Sequence, residues 1–306
     1  VSGGLLLGDK PITITGISNG ARIYAYDPPV LPGELPLRNP YPLYIHNANT
    51  LTFTQSARIG WARDVVKTGG GSLTLNSNVQ HTMQSLYIHQ GTVELKSGTI
   101  RMSGSDPRIY IGDGAGTDVL VLRGNVRNQL ITANPSIFPS ITLHGTPYDP
   151  RGPEYGGDQA ILRMGGNTKQ RLANLHIQDR GTIDWVGGEV SQANYLYLDS
   201  LTFSGPDAKL FMRNWYEYED YLLVSRAWFN AQSQATLDLI RTQVWFEGYE
   251  DFPVIYRHYD AQYIPITPFG VMTPYPEPET YGAILGATGL ALFIWRKRRA
   301  ASTATK

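Results

Sequence analysis

Leu73-Thr74-Leu75, Val93-Glu94-Leu95, Val119-Leu120-Val121-Leu122, Ile141-Thr142-Leu143, Ile161-Leu162-Arg163-Met164, Thr182-Ile183-Asp184 and Leu201-Thr202-Phe203 are short apolar runs separated by turn residues. Between their first apolar residues the steps are 20, 26, 22, 20, 22 and 18. A period near twenty with a short strand in each turn is what a β-solenoid needs, because one turn buries its apolar face only by stacking on its neighbours. Gly69-Gly70-Gly71, Gly112-Asp113-Gly114 and Gly165-Gly166 fall where tight corners are required. An antiparallel sandwich gives similar strand spacing and is the alternative. The preferred reading is an all-β chain with a parallel solenoid over residues 51–205.

Composition agrees with a turn-rich β protein. The 306 residues include 32 Gly and 20 Pro, only 17% are charged, and no Cys is present. The missing thiols exclude a disulfide scaffold, a thiolate metal site and a cysteine nucleophile. The 26 basic and 26 acidic residues balance, but Arg296, Lys297, Arg298, Arg299 and Lys306 all follow Thr280, with no acid among them. Residues 1–280 therefore carry 21 bases against 26 acids, a net of −5, which argues against a nucleic-acid partner.

Outward from the solenoid, residues 1–50 hold Pro28, Pro29, Pro32, Pro36, Pro40 and Pro42, which break long strands and predict an N-terminal capping region. Residues 206–263 are rich in Trp and Tyr and predict an aromatic C-terminal cap, with one short helix at Thr236–Arg241. Five prolines between Ile264 and Pro278 predict an extended linker over 264–280. Residues 281–306 are an uncharged run, Tyr281 to Trp295, closed by Arg296-Lys297-Arg298-Arg299. Fifteen residues make about 22 Å of helix against a hydrocarbon core of about 30 Å, so this helix spans only marginally. The bases predict a cytoplasmic tail and an exported body. The first residues show neither a basic nor an apolar leader segment, so export implies a signal that was removed or lies outside this sequence.

Pro276-Glu277-Pro278, the apolar helix and the Arg-rich end, in that order, resemble a PEP-CTERM sorting tail. The resemblance implies an exosortase-type partner, processing near Pro276, Glu277 and Pro278, a transient stay in the inner membrane, and a final place at the cell surface or in an exopolysaccharide matrix of a Gram-negative bacterium. Ala300–Lys306 extends beyond that pattern. Val66-Lys67-Thr68-Gly69-Gly70-Gly71-Ser72-Leu73-Thr74-Leu75-Asn76 followed by Gly91-Thr92-Val93-Glu94-Leu95 is similar to the autotransporter-associated β-strand repeat, with Val93 where that motif has Leu. This second resemblance implies a right-handed parallel β-helix.

Signs of catalysis are sparse. Gly16-Ile17-Ser18-Asn19-Gly20 has the spacing of a nucleophile elbow, but Ala21–Tyr26 and the prolines after it do not make the helix an elbow requires. Asp113-Gly114-Ala115-Gly116-Thr117-Asp118-Val119-Leu120-Val121 approaches a calcium nonapeptide in a single copy, which cannot supply six to eight oxygens. The histidines lack metal-ligand spacing, and no phosphate loop occurs, so no cofactor is expected. Asp158, Asp179, Asp184 and Glu189 are the candidates for an acid/base pair in a β-helical polysaccharide lyase or hydrolase. Trp215, Trp228 and Trp245 are candidates for stacking on sugar rings, or they cover the open end of the core. The expected function is a non-enzymatic surface or matrix protein, with the lyase and the glycan-binding module as alternatives.

Overall fold

The computed structural model describes residues 3–7, 11–16, 22–24, 42–60, 62–123, 127–147, 159–186, 193–216, 219–247, 255–257 and 269–273. The described chain is mostly strand, with two short helices, α1 (Arg226–Asn230) and α2 (Gln234–Gln243).

Most strands pair parallel with a strand that follows later in the sequence, and the register shifts only near Asn76, between Ser72–Ile88 and Gly91–Met102. In one ladder the inward column runs Ile45, Lys67, Ile88, Ile111, Leu143, Ile177 and Phe203. In a second it runs Leu51, Leu73, Val93, Leu120, Leu162, Ile183, Met212 and Phe246. A third ladder stacks Lys169–Leu172, Asn194–Leu198 and Asp220–Ser225, and the antiparallel strand Phe269–Thr273 then covers its edge. That strand lies within the Pro-rich stretch read as linker. The apolar columns of the two long ladders belong to one buried cluster, so the parallel sheet curls around a single core. Alternate residues point in and out along each strand, and Leu43–Asn47 shows it: Leu43, Ile45 and Asn47 are buried, Tyr44 and His46 exposed.

The register corrects the spacing argument. Ile141 and Leu201 belong to the first ladder, whereas the other five runs belong to the second. Leu120 faces the core, while Val119 and Val121 form a separate cluster with Ile161. Leu73 stacks on Val93, 20 positions on, but Leu120 stacks on Leu162, 42 positions on. Period-two patterning reveals which residues share a face of a strand; it does not reveal which ladder the strand joins.

Close stacking explains the glycine cluster. A Cβ at Gly71 would lie 2.0 Å from the Asn49 carbonyl oxygen, and one at Gly91, where φ is +84°, would lie 2.5 Å from that of Gly71. Gly70 has open space around it. Beneath this corner the fully buried Lys67 turns its ammonium onto the carbonyl oxygens of Thr68 (2.9 Å), Gly69 (2.5 Å) and Gln90 (2.9 Å). One cation thus joins backbone from two successive rungs, which compensates for its removal from water. Burial pulls the amine down to about 8, and the charge of Asp118 acts the other way.

Candidate functional site

A buried serine–histidine pair and the nonapeptide-like loop are two arrangements that resemble functional sites. Ser77 Oγ lies 2.7 Å from His81 Nε2, and both residues are buried. His81 Nδ1 accepts the Ile59 backbone N–H at 3.1 Å, so the ring proton sits on Nε2 and is donated to Ser77. A histidine held in that tautomer cannot take the serine proton. Burial, with the charge of Arg58, lowers its pKa to about 4. Asp118, the last carboxylate of the nonapeptide-like loop, is 1% exposed. The rest of that loop is a tight turn, with Gly114 and Gly116 at positive φ and Asp113 Oδ1 accepting the Ala115 N–H. Among the described residues no group of three or more His, Asp or Glu is placed to hold a metal ion.

The candidate acids divide. Asp158 and Glu189 lie outside the described residues. Asp179 occupies a corner at φ 61°, with its carboxylate 3.5 Å from His144 Nε2. Asp184 stands on the outer side of the second ladder, where Arg163 Nε and Asn214 Nδ2 each donate to it at 2.7 Å. A carboxylate saturated by a guanidinium and an amide is poorly placed for proton transfer.

The three candidate tryptophans do not share a surface. Trp215 donates Nε1–H to the Asp220 carbonyl and packs edge-on against the buried Phe246 at 5.1 Å. Trp245, the residue before Phe246, points to the opposite side of its strand, where Phe211 and Lys209 cover it. Trp228 on α1 borders a cavity. The tyrosine pairs Tyr87/Tyr110 and Tyr195/Tyr221 stack face to face at 4.8 and 4.9 Å, so they spend their faces on each other.

That cavity, about 310 Å³, lies between the two helices and the strand Leu201–Phe203. Among the described residues nothing pairs with this strand on its far side, so it ends the first ladder. Leu201 and Phe203 give the cavity an apolar floor and Ile240 faces it from α2; Thr202, Gln232, Thr236 and Gln243 contribute polar atoms, and among the described residues no charged side chain lines it. Ser225 and Ser233 cap the two helices by accepting N–H groups of Trp228 and Thr236, which fixes the cavity roof. α2 extends beyond the helix expected at Thr236–Arg241 at both ends. The sequence signalled Trp228 through its residue type; Gln243 gave no signal, because only the fold buries it.

The outer side of the second ladder carries a polar surface that the sequence does not signal. There Thr13, Thr52 and Thr74 stack in one column, and Thr15, Thr54 and Asn76 in the next. Within it Thr15 and Thr54 bond each other at 3.1 Å.

Pro276, Glu277, Pro278, Arg296, Lys297, Arg298 and Arg299 lie outside the described residues, as does the G-x-S-x-G loop beyond Gly16. No helix among the described residues is long and apolar enough to cross a membrane. Comparison with family models, curated proteins and solved structures gives no match to this chain.

Proposed function

We propose that the chain is an exported structural or interaction protein of the cell surface or exopolysaccharide matrix. In this reading it is built as a right-handed parallel β-helix and sorted by its tail through an exosortase-type enzyme. The observation that carries the architecture is the register: two long ladders advance rung by rung with the same columns of apolar residues inside. Support for sorting comes from the ordered tail: Pro276-Glu277-Pro278, an apolar run too short for a comfortable permanent span, then four bases. A display role without catalysis is favoured by the saturated state of Asp184 and the fixed tautomer of His81.

Changing Pro276, Glu277 and Pro278 to alanine should hold the protein in the inner membrane, unprocessed, in a host carrying the sorting enzyme. Mass spectrometry of the mature wild-type protein should find the C-terminus near Pro276. Recovery of intact Ala300–Lys306 from the surface form would make the tail a plain anchor. Reproducible cleavage of any member of a polysaccharide panel by the purified protein would replace the display role with an enzymatic one.

A further inference from the structure

We propose that the cavity beneath α1 and α2 binds one N-acetylated hexose unit of a neutral glycan. This rests on the surface-and-matrix reading only for the source of the sugar. Gln243 is a wall residue only 1% exposed. Its Nε2 donates to the Gly205 carbonyl at 2.6 Å and reaches that of Pro206 at 3.4 Å. Those bonds fix the amide and leave Oε1 as an acceptor without a hydrogen bond among the described residues, at a wall otherwise dominated by apolar atoms. A buried acceptor selects a ligand that brings an N–H or O–H donor, because leaving it unpaired is costly.

The remaining features narrow the ligand. The volume sits at the lower end of the range for small-molecule sites, enough for one ring with a substituent and too little for an enclosed oligosaccharide. With no charged side chain among the described lining residues, a uronic acid would lose its hydration without gaining a partner. Trp228 provides an aromatic wall suited to the C–H face of a pyranose. The apolar floor of Leu201 and Phe203, faced by Ile240 of α2, calls for a small apolar group beside the donor. An acetamido substituent unites the two: its methyl covers the floor and its N–H meets Gln243 Oε1. An unsubstituted hexose carries the ring without that methyl, and a uronate carries the wrong charge.

The test is calorimetric titration of the full chain in a non-glycosidic detergent with N-acetylglucosamine, N-acetylgalactosamine, glucose and glucuronate. At least one acetylated sugar should bind with a Kd of about 1 mM, and the other two at least about tenfold more weakly. Saturation-transfer NMR should place the strongest signal on the acetyl methyl. Thr236→Trp, on the rim, should fill the mouth and weaken binding more than about tenfold with the far-ultraviolet dichroism unchanged; Gln243→Leu should do the same by removing the acceptor. Because Gln243 also ties down Gly205, the rim variant decides the matter if Gln243→Leu misfolds. Equal affinity for acetylated and plain sugars, undiminished binding by folded Thr236→Trp, or no saturation at about 50 mM sugar would each overturn the proposal. Tail processing is read separately by mass spectrometry, so failed binding by a correctly processed surface protein rejects the pocket alone.

Discussion

The corner at Lys67–Gly71 and the corner built on Thr168, Asn194 and Asp220 join neighbouring rungs by different means. At the first, backbone lies directly on backbone and one ammonium gathers three carbonyl oxygens. At the second, side chains do the joining. Asn194 Oδ1 accepts the Thr168 N–H at 3.0 Å, and its Nδ2 donates to Asp220 Oδ1 at 2.9 Å. Asp220 Oδ2 then accepts the Tyr216 N–H at 3.1 Å. The first corner is intolerant of an added methyl group and imposes glycine; the second rests on side-chain hydrogen bonds that end on a buried carboxylate.

The largest effect should therefore come from Gly71→Ala, whose methyl would meet the Asn49 oxygen at 2.0 Å, costing about 3 kcal/mol or more in denaturant unfolding. Gly70→Ala, one residue away in open space, should change stability by no more than about 0.5 kcal/mol. Comparable losses at both positions would break the contrast.

Acid should move two buried groups in opposite directions. His81 is depressed to about 4 from 6.5, so the unfolded chain takes up the proton first and stability falls by about 3 kcal/mol as pH drops from 6.5 to 4. Asp220 is raised to about 6 from 3.8 by burial, against the pull of Asn194 and the Tyr216 N–H. The folded state takes up that proton first, so stability rises by about 3 kcal/mol as pH drops from 6 to 3.8. In the wild type the two trends offset each other. His81→Gln should gain stability relative to wild type on acidification and Asp220→Asn should lose it, as read by urea midpoints from pH 7 to 3.8. Parallel responses would contradict the assignment of either group.

Lys67→Met should cost about 2 kcal/mol, since it strips the donors from three buried carbonyl oxygens while relieving a desolvated charge. The smallest change is expected for Tyr110→Ala, which removes one half-exposed ring from a cross-rung stack and should cost about 1 kcal/mol in the same assay.

The contrast also explains what could be read in advance. Gly69, Gly71 and Gly91 are visible in the sequence because close stacking permits no side chain there, and Leu73, Leu75, Val93 and Leu95 announce two successive rungs by alternation. Asn194 and Asp220, 26 positions apart and directly paired, look like any two polar residues until the register is known. Ile141 joined the wrong column for the same reason, since its alternation fits either ladder. Of the candidate site residues, Trp228 is recognisable from its residue type. Gln243 was not, because its significance comes from burial against a loop 38 positions earlier.

The central claim is the rung-by-rung advance of the proposed solenoid, and the absence of natural cysteines makes it directly measurable with paired spin labels. Tyr44, Val66, Tyr87, Tyr110, Thr142, His176 and Thr202 form one outward column. At about 4.8 Å per rung, labels at Tyr44 and Thr142 should lie about 19 Å apart at the backbone, and labels at Tyr44 and Thr202 about 29 Å. Double electron–electron resonance on the two cysteine pairs should show that increase. A Tyr44 to Thr202 distance equal to or shorter than the Tyr44 to Thr142 distance would contradict the parallel stack.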